Sequence, residues 1–265
     1  MLLNNLERPL GEDIVGPWVT DVVTLVALHH DRLVAAAHLR RYADDDRASE
    51  SYRDAGEIVW LLCWPDHLEA GRAVRDRSIA RLDEWGVRIY YGDGSLPVPG
   101  VYGVPDSWPH VRTLYEEAGF DPSDGQVEII FAGKIDQFPA PGDPPIDGLT
   151  VRRQLGPLGT AFNALLNGEV VGTYEVDDDL TRGGANLAFG GWADEFNHWV
   201  RDDLRGRGIG TWLVANAGAW LRLGGTTRLM AYTIESDHTQ AWIRYYSRYG
   251  LTPINRTTRG WQRRP

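Results

Sequence analysis

Residues 205–210 read Arg-Gly-Arg-Gly-Ile-Gly and open directly into the apolar run Thr211-Trp212-Leu213-Val214. A helix starting there presents unpaired N–H groups and the positive end of its dipole. Glycines at 206, 208 and 210 let a bulky anion approach the backbone, and Arg205 and Arg207 add charge. Such a loop suits a pyrophosphate. Its plainer alternative is a tight strand-to-helix turn with solvated arginines. No Gly-Lys-Ser/Thr follows, so the loop is not of the Walker type, and it comes too late in its half for a dinucleotide fingerprint.

The surrounding elements follow from periodicity. After the glycines, Leu213, Val214, Ala217, Trp220 and Leu221 form one apolar stripe of a helix that Gly224-Gly225 ends. "TRLMAYTIE" reads as a buried strand, "TQAWIRYYSRYG" as a helix and "TPINRTTRGWQR" as a closing strand. Upstream, "LTVRRQL", "GTAFNALLNGEVVGTYEV" and "EFNHWV" read as strands, with a hairpin turn at Asn167-Gly168. Residues 138–148, "FPAPGDPPIDG", form a Pro/Gly-rich linker that neither helix nor central strand could contain. They set the expected domains at residues 1–137 and 149–265. The two halves repeat weakly but in register. Leu33 and Val170, each in an apolar strand after a turn, are separated by the same displacement as Leu68 and Arg205, each at the opening of a helix. Tyr115 stands four residues before Gly119, as Tyr246 does before Gly250. Two tandem mixed α/β domains are the economical fold.

The motif Arg205-x-x-Gly208-x-Gly210, the strand ending at Val200 before it, and Tyr246-x-x-x-Gly250-Leu251 further along the chain together resemble the GNAT superfamily of N-acetyltransferases. The resemblance covers residues 146–265 well and the first half in outline. It implies that Arg205, Gly206, Arg207, Gly208, Ile209, Gly210 and Thr211 hold the pyrophosphate of acetyl-CoA. It also implies that the preceding strand splays from the next, with Trp199 and Val200 offering backbone groups to pantetheine. Acyl transfer to an amine needs a base, donors for the oxyanion and a proton for the thiolate. The resemblance gives Tyr246 the last role and Asp194 the first. Glu195 is its rival, because a bulge would exchange their faces. The oxyanion donor would be the N–H near Trp199, and His198 or His238 could relay a proton. Thr239 stands where members often carry asparagine. The implied reaction is direct attack of a small-molecule primary amine on acetyl-CoA in a ternary complex. An acyl-CoA-binding module without catalysis is the alternative, and a peptide- or sugar-binding protein using its tryptophans is a third reading.

In the first half Leu68-Glu69-Ala70-Gly71-Arg72-Ala73 replaces the loop and sets a carboxylate where the pyrophosphate would lie. That half is expected to keep the fold and lose the site, with Trp60 and Trp64 filling its groove. The net charge of −10 argues against a nucleic-acid backbone binder and permits an amine. Asp44-Asp45-Asp46 and Asp177-Asp178-Asp179 each follow a hairpin strand, as solvated turns or as recruiters of a cationic amine. Cys63 is the single cysteine, so an intrachain disulfide is excluded. His29-His30 lacks partners at ligand spacing, and no metal is expected. No span or leader is legible, so a cytoplasmic location is expected, as a monomer with packed halves or a homodimer.

Overall fold

In the computed structural model, which describes residues 18–92, 102–122, 125–157, 159–181 and 187–264, the chain forms two compact units. One is Met1–Glu128 with Asn255–Pro265, the other Ile129–Ile254. The strands are β1 (Val19–His29), β2 (Arg32–Tyr42), β3 (Ala55–Cys63), β4 (Ile89–Tyr91), β5 (Val104–Pro105), β6 (Asp121–Pro122) and β7 (Val127–Lys134). They continue as β8 (Leu149–Leu155), β9 (Thr160–Leu166), β10 (Glu169–Asp177), β11 (Trp192–Val200), β12 (Arg228–Ile234), β13 (Thr252–Thr258) and β14 (Trp261–Arg263). The helices are α1 (Leu68–Trp85), α2 (Pro109–Glu117), α3 (Ile209–Leu223) and α4 (Thr239–Ser247). One sheet runs β1-β2-β3-β4-β14-β6 and the other β5-β13-β7-β12-β11-β10-β9-β8.

Local chemistry explains the connections. Asn167 and Gly168 both have positive φ, 53° and 83°, the requirement of a two-residue hairpin turn, and they join β9 to β10. Helix α1 stops at Gly86, whose φ of 66° lets its N–H return to Asp83 O. Under the second sheet, α3 buries Leu213, Val214, Ala217 and Leu221 of the stripe expected from the sequence against Phe162, Tyr174 and Val176, while Trp220 is half-buried at its edge.

The internal repeat is a structural fact as well as a sequence pattern. Strands β3 and β11 have the same length, and Ala55 and Trp192, where they begin, are separated by the displacement that also relates Leu68 to Arg205. Both strands enter a parallel pairing that lasts only three residues. In the first unit Ala55, Gly56 and Glu57 pair with Ile89, Tyr90 and Tyr91. In the second, Trp192, Ala193 and Asp194 pair with Arg228, Leu229 and Met230.

Two expectations change. The compact units do not divide at residues 138–148, because chain poor in secondary structure can still pack. Phe138 occupies the space beside Gly218, where an added Cβ would lie 2.8 Å from Phe138 Cδ2. Trp212 Nε1 donates to Gly142 O at 3.0 Å, and Arg222 donates to Ile135 O at 2.7 Å. The cut points fall instead inside β7 and β13. The closing strand is also two strands, broken at Gly260 with φ 76°. Its second piece, β14, lies in the first unit's sheet between β4 and β6, and Trp261 is fully buried in that unit's core.

Candidate functional site

The site forms where β11 leaves β12. Pairing stops after Asp194 and Met230, while β11 continues to Val200 and β12 to Ile234, so a gap opens between two parallel strands. Chain connectivity sets the glycine loop at its far end, between Val200 and the first turn of α3.

Gly208 is the N-cap of α3 with φ 88° and ψ −3°, and Gly206 has φ 75°. Both values lie in the left-handed region, which glycine enters without steric cost. The first intrahelical bond runs from Trp212 N–H to Gly208 O. The N–H groups of Ile209, Gly210 and Thr211 therefore precede the helical ladder, as anion binding requires. Arg205 Nε donates to Val200 O at 3.1 Å and its guanidinium meets Asp202 at 2.7 Å, which bends the loop back onto the end of β11. Arg207 is exposed.

Backbone direction in the gap follows from register. Arg201 N–H donates to Val171 O at 2.9 Å, and β10 and β11 pair as Gly172 with Val200, Thr173 with Trp199 and Tyr174 with His198. Hydrogen-bonded and non-bonded pairs alternate along an antiparallel ladder. Trp199 therefore turns its N–H and C=O toward Thr173, whereas His198 and Val200 turn theirs toward the gap. Of Trp199 and Val200, only Val200 turns its backbone toward the gap, and His198 does so as well.

A bulge at Phe196 shifts the register between Glu195 and Asn197. It falls after the acid pair, so Asp194 and Glu195 keep opposite faces. Asp194 pairs with Asp177 on the face away from α3 and α4, and both are buried. Glu195 lies on the helix face. The extra residue also brings His198 onto that face, although the two are three apart in sequence.

Glu195 is the centre of a buried cluster. Tyr246 donates to its Oε1 at 2.6 Å, Tyr174 donates to it, and His198 Nδ1 lies 3.7 Å away. Burial pushes the Glu195 carboxyl up, but His198 and the two phenols outweigh this and hold it below its ordinary value. Tyr246 and Tyr174 are pushed well above 10, first by burial and then by the Glu195 charge. Tyr245 OH meets His198 Nε2 at 3.2 Å, and Tyr249 donates to Thr211 Oγ1 at 3.0 Å. Three tyrosines of α4 and the turn after it thus fasten to β11 and to the first turn of α3. Gly210 leaves the room for this, since a Cβ there would lie 3.2 Å from His198 Nε2 and 3.3 Å from Tyr245 OH.

The remaining candidates lie apart. His238 is exposed at the N-cap of α4, and Thr239 Oγ1 accepts from Ser236 N–H at 2.8 Å, closing the turn that starts this helix. In the first unit Trp60 is buried and stacks on His38, whereas Trp64 is exposed and does not fill the groove. Sequence reasoning passed over Tyr174 and Tyr245. A period-2 count along β11 cannot put their partners Glu195 and His198 on one face, because the bulge changes the phase.

Residues 130–251 match the acetyltransferase (GNAT) family. No curated protein sequence matches the chain. A tandem GNAT protein from the clavulanic acid biosynthesis pathway superposes with a TM-score of 0.62 at 16% identity, over 94% of this chain and 84% of that one. A GCN5-related N-acetyltransferase from Sphaerobacter thermophilus gives 0.63 at 18% identity, over 100% and 85%. A glucosamine N-acetyltransferase region of a fungal multi-domain β-N-acetylglucosaminidase gives 0.59 at 17% identity, over 91% and 33%. Residues 130–251 thus form a GNAT-type domain, and the chain as a whole takes a fold similar to that of the tandem GNAT protein.

Proposed function

We propose that the protein transfers an acetyl group from acetyl-CoA to a primary amine of a small molecule, by direct attack within a ternary complex. The observation that supports this best is the gap between β11 and β12, ending at a helix start with glycines at 206, 208 and 210. The loop from Arg205 to Thr211 would hold the diphosphate, and the gap-facing backbone of His198 and Val200 would meet pantetheine and the developing oxyanion. Asp194 is the base in this reading. It lies on the opposite face from Tyr246, so amine and thiolate exchange protons on different sides of the thioester. The nitrogen attacks the carbonyl carbon, Asp194 takes its proton, the C–S bond breaks and the thiolate takes a proton from Tyr246. For that last step the Tyr246 hydroxyl must turn from Glu195, whose role is to hold Tyr246 and His198 in place. Burial of that phenol on a carboxylate also favours a second reading, an acyl-CoA-binding module without turnover. Calorimetric titration with acetyl-CoA tests both, and no binding at millimolar ligand overturns both. A panel of amines then separates them, since turnover abolished by Asp194→Asn supports the enzyme and binding without turnover supports the module.

A further inference from the structure

The first unit keeps one part of the repeated site and has lost another. Because β3 and β11 stand in the repeat register and share the same three parallel pairs, Glu57 occupies the position of Asp194. At the helix start of this unit Glu69 stands in the loop. Arg72 is held by Glu69 and by Glu117, and Arg75 by Glu117 as well. Nothing there is arranged for a diphosphate.

Beside Glu57 the unit is built differently. Tyr42 donates to the buried Glu57 carboxylate at 2.5 Å. Tyr42 also lines a cavity of about 360 Å³, whose other described walls are Trp18, Arg47, Ala48, Ser49 and Tyr52. Tyr52 packs on Tyr42 and on Tyr91, with ring centroids 4.9 Å and 5.1 Å apart. The volume is that of a site for a small molecule. Arg47 is the one cation among these walls, and Asp45 holds it through Nε and Nη2 at 2.9 Å. Asp44 and Asp46 add negative charge around the same guanidinium. Arg40 stands opposite Glu57 in the β2–β3 register and acts on Tyr42, and Arg53 donates to Asp45 O at 3.1 Å. Against these and Arg47 stand the four carboxylates Asp44, Asp45, Asp46 and Glu57, so the surroundings keep a net negative charge, in which aromatic faces attract a cation rather than an anion.

We infer that this cavity binds a small alkylammonium ligand, held by Trp18, Tyr42 and Tyr52 above the buried charge of Glu57. The site is separate from the proposed acetyl transfer and stands whether or not the second unit has that activity. In sequence terms it takes up the run Asp44-Asp45-Asp46, to which the acetyl-CoA site gives no role.

The full chain is titrated with choline and, separately, with its uncharged carbon isostere 3,3-dimethylbutan-1-ol, and binding is read by calorimetry. Choline is expected to bind one site, at least about fivefold more tightly than the isostere, the worth of one partly exposed cation–π contact. Tyr52 is 41% exposed but loses two ring contacts on truncation, so Tyr52→Ala should lower the unfolding midpoint modestly while weakening choline by about the same factor. If Tyr52→Ala fails to fold, Tyr52→Leu and magnetisation transfer from the choline methyls to tyrosine rings carry the same test. Equal affinity for the isostere, no binding of choline at tens of millimolar, or binding indifferent to Tyr52 would overturn the inference. Acetyl-CoA titrated in parallel reports on the second unit alone, so either site can fail without the other.

Discussion

Gly208 separates backbone strain from charge in the proposed diphosphate site, through two substitutions with different costs. At φ 88° any other residue carries a Cβ into the left-handed region, and this Cβ would also lie 3.3 Å from Pro145. Gly208→Ala should therefore cost about 1–2 kcal/mol of stability. It leaves the N–H groups of α3 where they are, so acetyl-CoA affinity should stay within about threefold, below about 1 kcal/mol. Gly208→Glu carries the same strain and adds a carboxylate at the helix start. Two unit charges about 4 Å apart repel by about 4 kcal/mol at an effective dielectric of about 20. The loop is exposed, and mobile salt reduces this to about 1.4–3 kcal/mol, or a ten- to hundredfold loss of affinity. Calorimetric titration with acetyl-CoA at low and at physiological salt measures both variants. The glutamate penalty should shrink as salt rises and the alanine penalty should not. Affinity of Gly208→Glu within twofold of wild type, or equal losses for the two variants, would show that these glycines serve only the turn.

Tyr246→Phe removes one donor from the buried Glu195 carboxylate and should destabilise the second unit by about 1.5–3 kcal/mol, measured by denaturant unfolding. Glu195 is held below its ordinary value of 4.5, so its contribution to stability is complete above that pH and is lost as acid drives it toward protonation. Unfolding midpoints between pH 7 and pH 3 should fall for the wild type and fall less steeply for Glu195→Gln. Equilibrium dialysis with labelled acetyl-CoA should saturate near one per chain, because Glu69 and its ion pair with Arg72 occupy the first unit's helix start. A value near two would refute the assignment of a single working loop.

The elements of the second unit were legible because each rests on local chemistry. Asn167-Gly168 could only be a hairpin turn, and the stripe from Leu213 to Leu221 only a helix face. The repeat was legible because a single displacement relates whole strands as well as the two helix starts. What remained hidden depends on partners distant in sequence. The bulge at Phe196 decides that Glu195 and His198 share a face, and it exists only in the pairing with β10. Ladder phase likewise decides that Trp199 turns away from the gap while Val200 meets it. The pairing of β14 with β4 and β6 is set by a sheet that begins at Val19, near the other end of the chain. The composition of residues 138–148 spoke correctly against helix and strand, but it carried no information about Phe138 settling beside Gly218.

The position of β14 has a consequence for the order in which this chain folds. The ribosome delivers domains from the N-terminus onward, and each generally folds once its own residues have emerged. The first unit cannot follow that schedule to completion, because Trp261 in its core and the strand between β4 and β6 are made only after the whole second unit. Until then β4 and β6 lack the neighbour that joins them, and unpaired strand edges invite pairing with other chains. A fragment cut at residues 138–148 would be fixed in that state. It should aggregate, and a synthetic peptide spanning residues 255–264, added in trans, should relieve the aggregation.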